Sequence, residues 1–467
     1  MTTIESVEPA TEAVRARFDS HSNADVAAAL LSADAAFRSW RDVSIADRAV
    51  PMKALARLLR ERRERYARLI TTEMGKPITE ALAEIEKCAW NTDFYAEHAA
   101  EYLADEPVET NARASFVAFE PLGVILAVMP WNYPFWQVIR FLAPALMAGN
   151  AALLKHASNV PQCALALEEA VRDAGFPSGI LRTLLLSGAE VEPVIADDRV
   201  RAVTLTGSTA TGARIAELAG RGVKKAVLEL GGSDPFIVLR DADIGAAAET
   251  AAKARFQNAG QSCIAAKRFL VEAPVAADFE RRFADVIRAL RVGDPLDPAT
   301  HVGPLAREDL RDTLERQVAE SVRMGARVVV GGKRRAGKGW FYEPTLLADV
   351  TEDMPVLKEE TFGPVAALLA VRDADEAVRV ANSSPYGLGA ALWTKDETAA
   401  RAIARRIESG SVFINGMVAS DPRLPFGGVK KSGYGRELSS FGIREFVNIQ
   451  TIWIGPAKQP APVAHAE

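Results

Sequence analysis

A chain of 467 residues with net charge −5, 49% apolar and 25% charged residues has ordinary globular composition and length for two or three domains. It lacks the clustered excess of Lys and Arg that marks a nucleic-acid binder, and its densest apolar run, residues 122–130, falls well short of the ~20 residues of a membrane span. Cys88, Cys163 and Cys263 are few, odd in number and widely spaced, a pattern of reduced thiols in a cytoplasm rather than a disulfide framework. Acidic residues stand near the N-terminus where a signal peptide is apolar, so a soluble cytoplasmic protein is expected.

Residues 1–22 read as an irregular lead-in. Asn23 or Asp25 is placed to cap a helix running through Trp40, and Ser44 with Asp47 resembles a capping box for a second. In that second helix Met52, Leu55, Leu59, Tyr66 and Ile70 recur at helical spacing, with the basic run 60–65 on the solvated face. A third helix is expected over 78–104. From Ser115 the texture changes to short apolar runs: strands at 123–129, 151–154, 202–205, 226–230 and 235–239, with helices at 161–174 and 209–219 between them. Such alternation predicts a parallel sheet covered on both faces. A second series follows Cys263, with strands at 269–271, 327–330, 365–370, 390–393 and 412–414 separated by helices at 276–290, 307–324 and 398–407. Two doubly wound α/β units therefore join near Gly232. The run 447–454 lies beyond the second unit and needs a pairing partner elsewhere, and the Pro/Ala-rich stretch 456–467 reads as a disordered tail.

The chemistry centres on QNAGQSC, residues 257–263. A thiol on a glycine-containing turn between a helix and a strand can open to a cleft, although a free Cys is more often a small buried hydrophobe. LELGG at 228–232 adds Glu229 at a strand end. No GxGxxG follows a strand, and Gly339 stands where the run 332–338 would need the Ser or Thr of a phosphate-binding loop, so that run is expected to be a surface hairpin. The five histidines show no ligand spacing, and no metal site is expected. TGSTATG at 206–212 follows a strand and opens a helix, so its backbone N–H groups face an anion. LKHAS at 154–158 puts Lys155 and Ser158 at another strand end, where doubly wound sheets bind ligands.

PWNYP (130–134), LKHAS, TGSTATG, LELGG, QNAGQSC, EETFGP (359–364) and PFGGVKKSGYGRE (425–437) stand in the order found in the aldehyde dehydrogenase superfamily. The chain resembles that superfamily over residues 5–455, and the wording NYPFWQVIR and KHASNVPQ is most similar to the short bacterial succinate-semialdehyde dehydrogenases. The resemblance implies a fold of two doubly wound α/β domains plus a small β oligomerisation element. By the same resemblance, residues 1–103 and 122–231 form the dinucleotide-binding domain and 232–435 the catalytic domain. Residues 104–121 and 436–456 would form the oligomerisation element of a homodimer or homotetramer, and 457–467 the tail.

The resemblance also assigns roles. Cys263 is the nucleophile, and the Asn132 amide with the Cys263 backbone N–H holds the oxyanion. Glu229 activates the water that hydrolyses the thioester. Pro130, Trp131, Lys155, Ser158, Gly207, Ser208, Gly212, Leu230, Glu360 and Phe362 match cofactor-binding positions, the last two at the nicotinamide ribose and ring. Ser158 with Lys155 suits a 2′-phosphate where Glu would repel it, so NADP is expected to be preferred, with NAD possible. Arg140 matches a position that clamps the distal carboxylate of semialdehydes; Trp136, Gln257 and Ser420 complete the expected substrate contacts. Gln257 departs from the second Arg of some relatives, and core packing is an equal reading for Phe135 and Trp136. The alternatives are a dehydrogenase for neutral or other acid-bearing aldehydes, a CoA-acylating dehydrogenase, a thiol esterase without redox chemistry, and a catalytically silent member of the fold.

Overall fold

The structure is a computed structural model and describes residues 3–455; the expected tail lies outside the described residues. The first segment differs from the expected lead-in, because Thr3–Glu8 and Ala13–Asp19 pair as an antiparallel hairpin. Its inward-facing residues are Ile4, Ser6 and Glu8, two of them polar, so no apolar alternation advertises the strand. Ser6 Oγ instead donates to Glu73 Oε1 at 2.8 Å.

The helix Asn23–Trp40 is capped by Ser22 rather than by Asn23 or Asp25: the Ser22 hydroxyl accepts from Asp25 N and the Asp25 carboxylate from Ser22 N. The helical stretch after Ser44 is two helices, Ile45–Glu61 and Arg63–Met74, separated at Arg62. Ile78–Tyr102 follows. Trp136–Met147 is a further helix in which every residue is buried. Its polar residues, Gln137 and Arg140, share one face but are turned into the interior, so the helix has no solvated face.

Two large sheets carry the molecule. One has the order Gly433–Tyr434, Lys225–Glu229, Val200–Thr206, Val124–Met129, Ala151–His156, Leu181–Thr183, parallel except for its first pair. The chain runs outward in one direction from Val124–Met129, then returns to its other side at Val200–Thr206. The C-terminal ends of these two strands therefore form the switch point at which open α/β sheets bind ligands. The other sheet has the order Arg327–Val330, Thr345–Ala348, Val365–Val371, Ala266–Glu272, Asp234–Val238, Gly389–Trp393, Ser411–Ile414, and only its Arg327–Val330 edge is antiparallel. The chain passes between the sheets through residues 230–233. Val447–Ile454 finds its partner in Ala114–Pro121, and with Glu106–Pro107 they make a three-stranded antiparallel sheet. Among the described residues no helix is long and apolar enough to cross a membrane.

Candidate active site

Cys263 is reached through an unusual piece of backbone. After the helix Ile244–Phe256, Asn258, Ala259 and Gly260 all adopt left-handed conformations, with φ of 54°, 52° and 73°. Such angles are uncommon for residues other than glycine and persist when the surroundings over-determine them. Here Asn258 N donates to Glu80 Oε2 at 2.7 Å, and Asn258 Nδ2 donates to the carbonyls of Asn132 at 2.8 Å and Gln261 at 3.1 Å. Ala306 N donates to Gln261 Oε1 at 2.9 Å, and the buried Arg255 guanidinium holds the Gly260 carbonyl at 2.9 Å. Lys267, fully buried, gathers the far side: its ammonium donates to the carbonyls of Ser262, Cys263 and Ala265 at 3.0, 2.9 and 3.2 Å. The loop is thus fixed on both flanks of the thiol.

Cys263 lines two cavities at once, and Gln137 is the only other residue shared between them. The first, of 420 Å³, lies at the switch point. Pro130, Trp131 and Asn132 follow one strand there, Gly207, Ser208 and Thr211 follow the next, and Lys155, Leu230, Glu360 and Phe362 complete the walls. The Trp131 and Phe362 rings meet edge-on with centroids 5.7 Å apart. Glu360 is anchored by Gly232 N, which donates to its Oε1 at 3.0 Å, and by Lys267 at 3.8 Å. A third cavity, of 620 Å³, includes Ser158 and shares Lys155, Ala157 and Arg307 with the switch-point cavity. The two together form one long groove. Lys155 is 8% exposed and has no ion-pair partner among the described residues, and burial lowers its pKa. A buried ammonium without a counter-charge is costly, so the groove favours an anionic occupant.

The second cavity bordering Cys263, of 160 Å³, lies on the opposite side. Trp136, Arg140, Gln257 and Ser420 all line it, with Lys87, Tyr133 and Phe426. Arg140 is 1% exposed and ion-paired with Glu437, donates to Thr206 Oγ1 at 3.3 Å, and lies over the Phe426 ring. Phe135 does not reach the cavity; it is core, packed on Tyr66.

Burial pushes the Cys263 thiol up to about 12, against the pull of Arg140 and Lys267. Burial also lifts Glu229 to about 8, with the Glu437 carboxylate adding to the effect. Neither Glu229 oxygen has a hydrogen-bond partner, the condition of a carboxyl group held neutral and ready to ionise. Its room comes from Gly427, where an added Cβ would stand 2.9 Å from Glu229 Oε1.

A model of the aldehyde dehydrogenase family matches residues 1–452. The chain belongs to the aldehyde dehydrogenase family. It is 51% identical over 454 residues to succinate-semialdehyde dehydrogenase [NADP(+)] 1 of Mycobacterium tuberculosis, covering 97% of this chain and 99% of the relative. It is 52% identical over 454 residues to an aldehyde dehydrogenase of Paenarthrobacter nicotinovorans, at 96% and 99% coverage. The crystal structure of succinic semialdehyde dehydrogenase from Streptococcus pyogenes in complex with NADP+ superposes with a TM-score of 0.95 at 40% identity, covering 97% of this chain and all of that one.

Within this aldehyde dehydrogenase, several expected site residues sit differently from their motif reading. Glu229 lines neither cavity and is 2% exposed. Gly212 is not open to the groove: an added Cβ would strike the Leu230 methyls, so its smallness serves close packing of the helix Thr209–Arg221. Ser208 caps that helix, accepting from Thr211 N at 3.3 Å. The Asn132 amide is engaged, donating to the Gln261 carbonyl at 3.1 Å, although an amide nitrogen has a second N–H to give. Lys87, Lys267, Arg307 and Glu437 were not singled out from sequence. Lys267 had one available signal, its position four residues after the thiol; the other three are ordinary charged residues until distant segments meet.

Proposed function

We propose that this aldehyde dehydrogenase oxidises succinate semialdehyde to succinate, with NADP preferred over NAD. The observation that carries the reading is the placement of Cys263 between two cavities, one at the sheet's switch point and one containing cationic side chains. The names of the Mycobacterium tuberculosis relative and the Streptococcus pyogenes structure support the same substrate and nucleotide.

The Cys263 thiolate attacks the aldehyde carbon, and the Cys263 backbone N–H with the Asn132 amide stabilises the resulting oxyanion. Arg140 and Lys267 supply the positive potential that favours the thiolate over the thiol. Lys155 and Ser158 would hold the 2′-phosphate, the N-terminus of Thr209–Arg221 the pyrophosphate, and Glu360 and Phe362 the ribose and nicotinamide; the bound nucleotide would supply the hydride acceptor. Glu229, poised near neutrality, takes the proton of the water that hydrolyses the thioester. Trp136, Arg140, Gln257 and Ser420 enclose the substrate chain. The three-stranded sheet, with Ile449 and Trp453 exposed on Val447–Ile454, fits an oligomerisation element of a homodimer or homotetramer, and the three free cysteines fit a cytoplasmic location.

The test is nucleotide reduction with succinate semialdehyde, NADP against NAD, for wild type and Cys263→Ala. Activity with NADP that disappears in the variant is expected. Ester hydrolysis by Cys263 without any nucleotide reduction on a panel of aldehydes would replace the reading with that of a thiol esterase.

A further inference from the structure

Lys87 is the least committed cation of the substrate cavity. It stands on the helix Ile78–Tyr102, on the same face as Glu84 and Glu80. Those two acids are already engaged. Glu84 pairs with Lys76 and accepts from Phe135 N and Trp136 N, while Glu80 accepts from Asn258 N. Arg140, the other cation of the cavity, is met by Glu437. Lys87 has no ion-pair partner among the described residues. Its ammonium donates to Ser420 Oγ at 2.6 Å and lies 4.4 Å from the centroid of the Trp136 ring. The hydroxyl and the ring face hold the head group in place without neutralising it.

We propose that Lys87, oriented by Ser420 and Trp136, receives the distal carboxylate of the substrate and sets the preference for acid-bearing over neutral aldehydes. The proposal rests on the reading that the substrate is a carboxylate-bearing aldehyde. An anion arriving in this cavity forms a charge-assisted hydrogen bond with an ammonium that has no anionic partner among the described residues, whereas at Arg140 it must compete with a buried carboxylate. The Trp136 ring supplies an apolar wall for the intervening methylenes. A lysine suits the role because its ammonium is a point charge on a flexible stem that adjusts to the chain it meets.

The environment gives the interaction a pH signature. Burial, with Arg140 adding, lowers the Lys87 pKa to about 8, while Cys88 and Glu84 on its own helix and Asp421 on the facing loop pull it upward. A carboxylate-dependent contribution is therefore present below this pKa and fades as the pH rises through it.

The experiment compares kcat/KM for succinate semialdehyde and for butanal, which has the same carbon count without the carboxylate, in wild type, Lys87→Met and Lys87→Arg. Loss of one charged hydrogen bond predicts a ~10- to 100-fold fall for succinate semialdehyde in Lys87→Met, mainly through KM, with butanal changed less than about twofold. Lys87→Arg restores most of the loss. The ratio of the two specificity constants, in which Cys263 and Glu229 cancel, falls as the pH rises through about 8 in wild type and stays flat in Lys87→Met. An equal loss on both substrates, or an unchanged ratio in Lys87→Met, overturns the assignment of Lys87 while leaving the substrate reading intact. A wild-type enzyme with no preference for succinate semialdehyde over butanal overturns the substrate reading first, and the role of Lys87 with it.

Discussion

Replacing Ser158 with glutamate tests how the groove discriminates between the two nucleotides. Lys155 is the residue that makes the outcome calculable. The residue is 8% exposed, burial alone depresses its pKa, and no carboxylate among the described residues is paired with it. In wild type the first anion it meets belongs to the ligand, and a charge-assisted hydrogen bond to a 2′-phosphate contributes about 1.5–3 kcal/mol. Glutamate at 158 lies in the same cavity as Lys155 and gives it an internal partner, so that contribution is lost. The carboxylate also repels the phosphate, by about 4 kcal/mol per pair of unit charges at 4 Å and an effective dielectric of 20, less where solvent and salt enter the open groove. A net change of about 3 kcal/mol corresponds to roughly a 100-fold fall in the NADP-to-NAD ratio of kcat/KM. The assay is initial-rate nucleotide reduction at fixed aldehyde over a range of each nucleotide. Lys155→Met serves as the control, because it should weaken NADP without improving NAD. A ratio that moves less than about twofold in Ser158→Glu would show that the phosphate is held elsewhere, and would refute a role for the unpaired Lys155 in nucleotide choice.

Glu229→Gln should give one burst of reduced nucleotide per active site and then stall at the thioester, with the wild-type steady rate rising with pH through about 8. That limb follows from the sign of the shift: the raised pKa keeps the carboxyl neutral at lower pH, and only the ionised form accepts the water proton. Undiminished turnover in Glu229→Gln would remove Glu229 from the hydrolytic step. Arg140→Met strands Glu437, which is 4% exposed, and breaking a buried pair on one side costs about 3–5 kcal/mol. In denaturant unfolding the double variant Arg140→Met/Glu437→Gln should recover much of that loss; a double variant no more stable than the single would mean that the pair is energetically idle.

Much of the fold was legible because its signals are local. Strand–helix alternation and the motifs after the strand ends at Met129 and Thr206 mark strand ends that bind ligands without any tertiary information, whereas the strand order that makes those two ends neighbours at a switch point comes only from the folded sheet. What escaped was whatever depends on a surface's absent counterpart. The helix Trp136–Met147 turns its few polar residues, Gln137 and Arg140, into the interior rather than to solvent, and the strand Thr3–Glu8 turns Ser6 inward because Glu73 lies across the fold, while Glu8 meets Thr11 and Arg15 of its own hairpin. The site divides along the same line. Motifs name Cys263, Asn132 and Glu229 because their chemistry is a property of residue type. The electrical state of a residue is a property of its neighbours.

Arg140 illustrates the difference most sharply. Its place after PWNYP marks it for a carboxylate, but the carboxylate beside it is Glu437, the last residue of PFGGVKKSGYGRE. The same Glu437 raises the pKa of Glu229, so one acid connects Arg140 of the proposed substrate cavity with the proposed general base. A cation satisfied by the protein can steady a neighbouring nucleophile and base, yet has less to offer a ligand than one that is not. That inequality separates Arg140 from Lys87. The prediction is directional: neutralising Lys87 should change which aldehyde is preferred, whereas neutralising Arg140 should change stability and the pH dependence of turnover on every aldehyde.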